Sequence, residues 1–192
     1  MWKSRTGINT PRNKIPQPEW KRWHVIEDLI KTRGWTRGIE LGVKNGKTFL
    51  HILKFCKEMH MTGIDLWEPH ESNLPGTNWD HKKNLLYVES LLGQLFDFND
   101  KRFDYNEDRY KLIKGRTDQA HTQIDNKSAN FVFIDADHQY GAVIRDIELY
   151  EPKVTDAVIG HDIDWPDVKK AVEDHYGDAY TVRENDVWVH YL

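Results

Sequence analysis

The chain has 192 residues, of which 39% are hydrophobic and 30% charged, as expected for one soluble globular domain. The formal net charge of -4 gives no overall electrostatic basis for nucleic-acid binding. No apolar run is long enough for a transmembrane helix, the N-terminus lacks the apolar core of a signal peptide, and a single cysteine, Cys56, excludes a disulfide framework. We therefore expect a cytoplasmic protein with no membrane association.

The N-terminal segment is polar and basic. We predict an arm over residues 1–18 and a folded domain over residues 19–192. Residues 1–23 hold six Lys or Arg residues against one acid, Glu19, with tryptophans among them. Two interpretations stay open: the arm could contact an anionic or nucleic-acid partner, or its tryptophans could pack it onto the domain.

The most informative stretch combines a strand, a glycine turn and the start of a helix. It reads Gly38-Ile39-Glu40-Leu41-Gly42-Val43-Lys44-Asn45-Gly46-Lys47-Thr48. The pattern predicts a buried strand over residues 37–41 and a helix over residues 46–60. A turn of this kind brings backbone N–H groups and the positive end of a helix dipole to a ligand. The glycine spacing is not the G-x-G-x-x-G of dinucleotide-binding proteins, and Glu40 suits a cationic group better than a pyrophosphate.

A second predicted strand, Met61 to Leu66, carries an acid near its end. Asp65 follows the glycine turn by about twenty residues, where nucleoside-binding α/β folds place an acid that bonds the ribose hydroxyls. Trp67 could stack on a base or cover the sheet edge. We predict that residues 67–108 form an insertion, which could be a lid or substrate wall or a decorated surface loop.

The third predicted strand is Tyr110 to Lys114, and a turn follows it. Gly115-Arg116-Thr117-Asp118 opens a helix there, with Thr117 or Asp118 as its cap. In nucleoside-binding α/β folds, the corresponding turn lies beside the base of the bound nucleoside. At the end of the chain, residues 180–191 predict a β-hairpin, which puts an antiparallel strand into an otherwise parallel sheet.

Acids and histidines follow two further predicted strands. The apolar run Asn130 to Ile134 leads into Asp135-Ala136-Asp137-His138, and the run 157–160 leads into His161-Asp162. Open α/β sheets bind ligands at the carboxyl ends of their strands. We therefore predict a cation site formed by Asp135, His161 and Asp162. Oxygen ligands suit Mg²⁺, and a histidine among them favours Mn²⁺ or another transition ion.

Residues 35–192 resemble the class I S-adenosylmethionine-dependent methyltransferases. The resemblance rests on Glu40-x-Gly42-x-x-x-Gly46, Asp65, the Gly115 turn and the closing hairpin. More narrowly, Phe133-Ile134-Asp135-Ala136-Asp137-His138-Gln139-Tyr140 with Gly160-His161-Asp162 is similar to the catechol, caffeoyl-CoA and macrocin-type O-methyltransferases and a related bacterial and phage group. The resemblance implies a single Rossmann-like domain with a seven-stranded, mostly parallel sheet, helices on both faces and a C-terminal antiparallel hairpin.

The resemblance also implies roles for individual residues. Those expected to bind S-adenosylmethionine are Glu40, Gly42, Lys44, Gly46, Asp65, Trp67, Thr117 and Asp135. Asp135, His161 and Asp162 match the metal positions. Asp135 and His138 are the expected catalytic residues, since His138 stands where the catechol-type enzymes place a catalytic lysine. The family usually has a Gly-Gly turn where this chain has Val154-Thr155-Asp156.

These expectations define a reaction and its alternatives. The first hypothesis is metal-assisted methyl transfer to an oxygen of a small molecule or sugar, with His138 as the base. A second is a nucleic-acid-associated methyltransferase or binding module that uses the basic arm. A third is a nicotinamide-dependent oxidoreductase, against which the glycine spacing argues, and a fourth is a scaffold that keeps the pocket without catalysis. The tryptophans could cover a homo-oligomer surface or the domain's own core.

Overall fold

A seven-stranded sheet forms the centre of the structure, a computed structural model that describes residues 20–68, 81–95 and 109–192. Its strands are β1 (Arg37–Leu41), β2 (His60–Asp65), β3 (Tyr110–Lys114), β4 (Ala129–Ile134), β5 (Val154–Gly160), β6 (Thr181–Val182) and β7 (Trp188–Tyr191). They lie in the order β3-β2-β1-β4-β5-β7-β6. The first five are parallel, and β7 pairs antiparallel with both β5 and β6.

Helices cover both faces of this sheet. They are α1 (Arg22–Arg33), α2 (Lys47–Phe55), α3 (His81–Leu95), α4 (Thr117–Ala120), α5 (Tyr140–Tyr150) and α6 (Pro166–Tyr176). Residues of α1, α2 and α3 share one buried core with Phe131 and Phe133 of β4. Residues of α4, α5 and α6 share the other with Val132 and Ile134. The alternation along β4 follows from the two-residue period of a strand, which sends successive side chains to opposite faces.

The centre of the sheet sets the position of the candidate site. Strand β1 lies between β2 and β4, so the chain leaves β1 in one direction along the sheet and later returns on its other side. Leu41 at the end of β1 is in register with Ile64 of β2 and Ile134 of β4. The residues that follow these strands therefore meet at one edge, the topological switch point where open α/β sheets bind ligands. The predicted fold is confirmed.

Two local predictions were wrong. Helix α2 was predicted to run to residue 60, but it ends at Phe55. The buried Arg109 side chain donates hydrogen bonds to the carbonyls of Leu53, in the last turn, and Cys56, the C-cap, at 2.8 and 2.9 Å. In a longer helix, these carbonyls would accept hydrogen bonds from backbone N–H groups further along the helix. The predicted side-chain cap of α4 is also absent, since its N-cap is Arg116 and no side chain caps it.

The tryptophans divide between core and surface. Trp35, Trp67 and Trp188 are buried, whereas Trp20 and Trp165 are exposed. At three positions the tryptophans therefore cover the domain's own core, and a homo-oligomer stays a prediction. None of the described helices is both long and apolar enough to cross a membrane.

The predicted arm, residues 1–18, lies outside the described residues. The predicted insertion is described only at its start and in α3, whose Val88 and Leu92 are buried in the same core as α2. A role for the insertion as lid or substrate wall stays a prediction.

Candidate active site

The glycine turn after β1 packs directly against the end of β4. Gly42 has a φ of 88°, and a Cβ added there would lie 2.1 Å from the carbonyl oxygen of Asp135. No other residue fits this contact, because the positive φ and the close approach both require the absence of a side chain. Gly46, with a φ of 76°, is the N-cap of α2 and offers no side-chain cap. The turn thus brings α2 to the end of β4, and no side chain of the described residues caps its first N–H groups.

Asp65 and Trp67 hold this turn in shape. The Asp65 carboxylate accepts hydrogen bonds from the backbone N–H groups of Lys44 and Trp67, both at 2.7 Å. The Trp67 indole N–H donates to the Lys44 carbonyl at 2.8 Å. Lys44 and Trp67 both have positive φ, at 53° and 42°, so these bonds hold a backbone conformation that non-glycine residues rarely adopt.

Trp67 could stack on a base or cover the edge of the sheet, and its burial favours the second role. Its side chain is only 2% exposed and belongs to the core shared by α1, α2 and α3. A ring buried in this way presents no free face for a base to stack on, and a contact between Trp67 and the cofactor stays a prediction. A bond between Asp65 and ribose hydroxyls stays a prediction.

Glu40, near the end of β1, has a buried carboxyl with one unpartnered oxygen. It is 2% exposed, and its Oε2 has no hydrogen-bond partner among the described residues. Burial, reinforced by the nearby charge of Asp135, raises the pKa of Glu40 well above its ordinary value. A buried carboxyl without a partner is costly unless a ligand supplies one, so this position suits an ammonium or another hydrogen-bond donor.

Asp135, His161 and Asp162, the three predicted metal ligands, come together at the ends of β4 and β5. One candidate ligand atom from each lies within 4.8 Å of the others. His161 Nδ1 is 3.0 Å from Asp162 Oδ2 and 3.7 Å from Asp135 Oδ1. Asp162 has a φ of 55°, a conformation that aspartate tolerates better than most residues.

The protonation of this cluster follows from its surroundings. Burial raises the pKa of Asp135, although Arg22 and His161 lie beside it. Burial would also raise the pKa of Asp162, but the two neighbouring histidines, His138 and His161, outweigh burial and hold that pKa well below its usual range. For His161, the neighbouring carboxylates outweigh burial and raise the pKa. Asp162 is therefore an anion throughout the physiological range.

The donor set fits a divalent cation. Both ring nitrogens of His161 are buried without a hydrogen-bond partner of good geometry among the described residues. An imidazole nitrogen with no protein partner, beside two carboxylates, is the arrangement expected of a metal ligand. Carboxylate and imidazole together favour Mn²⁺, while the oxygen ligands also suit Mg²⁺.

His138 lies on the open side of this cluster. Its Nε2 is 2.7 Å from Asp162 Oδ2 and 3.9 Å from Asp135 Oδ1. Because Asp162 is ionised, the short contact assigns the proton to His138 Nε2 and leaves Nδ1 as the basic nitrogen when the ring is neutral. The Trp165 ring, 46% exposed, lies 4.8 Å from the His138 ring. Trp165 directly precedes the proline that begins α6, but the sequence gives no signal that it lies beside His138.

Arg22 is the other contact that the sequence analysis missed. Its Nε is 3.1 Å from Asp135 Oδ2 and donates to Thr48 Oγ1 at 3.2 Å. The sequence showed Arg22 only as one of several basic residues near the arm. Its place as the first residue of α1 gave no indication that α1 starts beside the end of β4.

Thr117 lies at the same edge of the sheet, beyond β2. The Gly115 N–H donates to the Asp65 carbonyl at 2.9 Å, which ties the turn after β3 to the end of β2. The Tyr150 hydroxyl donates to the Thr117 carbonyl at 2.8 Å, and Asp146 of α5 also hydrogen-bonds to Thr117. The structure thus brings all the predicted site residues to one edge, and a direct contact between Thr117 and a ligand stays a prediction.

Comparison with known families and structures gives consistent results. A family model described as a methyltransferase domain matches residues 39–163, which is more than half of the chain. That range includes the glycine turn, Asp65 and the cluster at the ends of β4 and β5. A comparison with curated protein sequences found no significant match.

Several solved structures share the fold. A Staphylococcus aureus protein, provisionally described as a caffeoyl-CoA O-methyltransferase, matches with a TM-score of 0.61 and 18% identity over 87% of this chain and 80% of its own. A Bacillus cereus O-methyltransferase in complex with S-adenosylhomocysteine gives 0.60 and 14% over 88% and 80%. A TDP-rhamnose 3'-O-methyltransferase of calicheamicin biosynthesis gives 0.58 and 17% over 95% and 88%. At such identities, the likeness establishes the fold alone.

Proposed function

The chain belongs to the methyltransferase-domain family, and from that membership we propose that it transfers a methyl group from S-adenosylmethionine to an oxygen of a small molecule or sugar. Solved structures with the same fold include O-methyltransferases in complex with S-adenosylhomocysteine and with S-adenosylmethionine. The nucleic-acid alternative depends on the arm at residues 1–18, outside the described residues, and the family match argues against a nicotinamide-dependent enzyme.

The observation that carries this proposal is the convergence of three acids around the glycine turn. Glu40 is buried near the end of β1, Asp65 holds the turn through the Lys44 N–H, and the Asp135 carbonyl lies against Gly42. A ligand with a cationic amino-acid end and a ribose would find acids for both groups. Glu40 beside the turn suits a cationic group better than a pyrophosphate, which supports S-adenosylmethionine over a dinucleotide.

In the proposed reaction, the protein mainly has to align and deprotonate the hydroxyl that accepts the methyl group. S-adenosylmethionine supplies a methyl group that is already electrophilic on its sulfonium, so positioning an oxygen behind that carbon provides much of the rate. His138 Nδ1 would accept the proton of the attacking hydroxyl, while Asp162 holds Nε2–H and fixes the orientation of the ring. Asp135, His161 and Asp162 would hold a divalent cation, which would lower the pKa of the acceptor hydroxyl.

A methyl-transfer assay tests this proposal. Purified protein is incubated with methyl-labelled S-adenosylmethionine and two sets of acceptors, catechol-type phenols and deoxysugars, with Mn²⁺, with Mg²⁺ or with EDTA. We expect labelled methyl ether from one set, and no product from Asp135→Ala protein that still binds S-adenosylhomocysteine. Undiminished turnover by Asp135→Ala protein would contradict the role of Asp135, and transfer only to nucleic acid would contradict the substrate class.

A further inference from the structure

The hairpin formed by β6 and β7 holds the chain on both sides of two candidate metal ligands. Gly160 and Trp188 are paired in register between β5 and β7, and a Cβ added to Gly160 would lie 2.3 Å from the Trp188 ring. Further along the chain, the Ile163 N–H donates to the Asp186 carbonyl at 3.3 Å. The hairpin thus contacts the residues just before and just after residues 161–162.

Trp188 also carries a hydrogen-bond donor for which the described residues supply no acceptor. The residue is fully buried, and its indole Nε1 has no partner across residues 20–68, 81–95 and 109–192. A buried N–H without an acceptor is destabilising, so native proteins satisfy nearly all such groups with protein atoms or with ordered water. An acceptor is therefore expected beside the Trp188 ring.

A small pocket lies beside this indole and has the size and the lining of a water site. Its volume is about 10 Å³, close to the space that one buried water needs. Val143 of α5 and Val168 of α6 form an apolar part of the lining, and Asp137, His138 and His161 are among its polar residues. A buried water needs two to four polar partners, and these residues carry carbonyl, carboxylate and imidazole groups that can accept its protons.

We propose that one water binds in this pocket, accepts the Trp188 Nε1–H and donates to the loop Asp135–His138. Trp188 is then a positioning residue, because through this water it fixes the loop that carries the candidate base. The importance of that loop rests on the function proposed above, whereas the water site itself does not. Trp188 lies outside residues 39–163, the range that the family model matches, so this support comes from a part of the chain beyond the match.

NMR spectroscopy of wild-type protein tests the water site directly. The indole N–H signal of Trp188 is assigned through bonds in isotope-labelled full-length protein. We expect a nuclear Overhauser cross-peak between this proton and water, with the sign that distinguishes a bound water from proton exchange. Such a cross-peak requires a water that stays beside the indole, as one held by several hydrogen bonds does.

Trp188→Phe protein tests the positioning role, since it loses the donor and keeps a large aromatic ring. We expect its turnover to fall by about 10- to 100-fold, because a small displacement of a catalytic group can cost this much, while binding of S-adenosylhomocysteine changes little. The NMR signals of the His138 ring should also shift, which reports the position of the loop without turnover. Trp35→Phe makes the same truncation in the core on the opposite face and should change neither turnover nor these signals. Thermal melts show whether each variant keeps the fold.

Two results would overturn the inference. Absence of the water cross-peak in folded wild-type protein would remove the water site. Full turnover and unshifted His138 signals in Trp188→Phe protein would leave Trp188 with a role in the core alone. If wild-type protein transferred no methyl group, the proposed function would fail, but the cross-peak and the ring signals would still decide the inference, so the two failures are distinguishable.

Discussion

At the residue scale, the hydrogen bond between His138 and Asp162 determines which ring nitrogen of His138 could take the proton of the acceptor in the proposed reaction. The two histidines around Asp162 hold the pKa of its carboxyl low, so the carboxylate accepts the His138 Nε2 proton across 2.7 Å. His138 Nδ1 is then the nitrogen left to accept a proton. The same bond limits rotation of the ring, in the way that a buried carboxylate orients the histidine of a catalytic triad.

Replacing His138 by Gln removes the base but keeps a polar side chain of similar reach. We expect turnover to fall by about 10²- to 10⁴-fold, the usual contribution of general base catalysis. Binding of S-adenosylhomocysteine should not change, because His138 lies outside the glycine turn. Steady-state kinetics and calorimetry measure the two effects, with His121→Gln as the control. Full turnover by His138→Gln protein would remove His138 from the mechanism.

At the scale of elements, α5 supports the turn after β3 through two side chains. Tyr150 donates to the Thr117 carbonyl, and Asp146 hydrogen-bonds to Thr117 from a buried position. Burial raises the pKa of Asp146 to about 7. The sequence contains no signal for Asp146, because one acid next to Arg145 in a helix does not indicate burial.

This raised pKa makes the stability of the protein depend on pH. An unfolded aspartate titrates near pH 3.9, whereas Asp146 in the folded state titrates at about pH 7. Between these values the folded state holds the extra proton, so the free energy of unfolding falls as pH rises and levels off above pH 7. We expect Asp146→Asn to remove this decline and to be more stable than wild type at pH 8.

Urea denaturation at pH 5, 6, 7 and 8 measures this effect. The contribution of Asp146 to the fall in unfolding free energy is at most about 1.4 kcal/mol per pH unit, the value for release of one proton. Asp125→Asn, at an exposed position, is the matched control and should keep the wild-type decline. An identical pH dependence in Asp146→Asn and wild-type protein would contradict the assignment.

At the scale of the whole molecule, the sequence predicted the sheet and the edge that carries the site. Strands β1 and β3 have the predicted limits, and the acids after β4 and β5 come together as expected. These features follow from local patterns, because a buried parallel strand is an apolar run and its carboxyl end faces the ligand edge. The family match over residues 39–163 confirms the resemblance stated from the motifs.

The features that the sequence could not predict depend on contacts between distant parts of the chain. The end of α2 is set by Arg109, which lies just before β3. The start of α1 meets Asp135 through Arg22. The burial of Trp67 depends on helices that pack over it. No periodicity or motif encodes such contacts, since each requires the assembled fold.

The most direct test of cofactor binding is a calorimetric titration of the full chain with S-adenosylhomocysteine, with and without Mn²⁺ or Mg²⁺. One-to-one binding is expected, because Glu40, Asp65 and Asp135 surround a turn suited to a cationic amino acid and a ribose. A change in affinity with metal would support a cation at Asp135, His161 and Asp162. Absence of binding by well-folded protein would contradict the cofactor assignment and leave the glycine turn with a structural role.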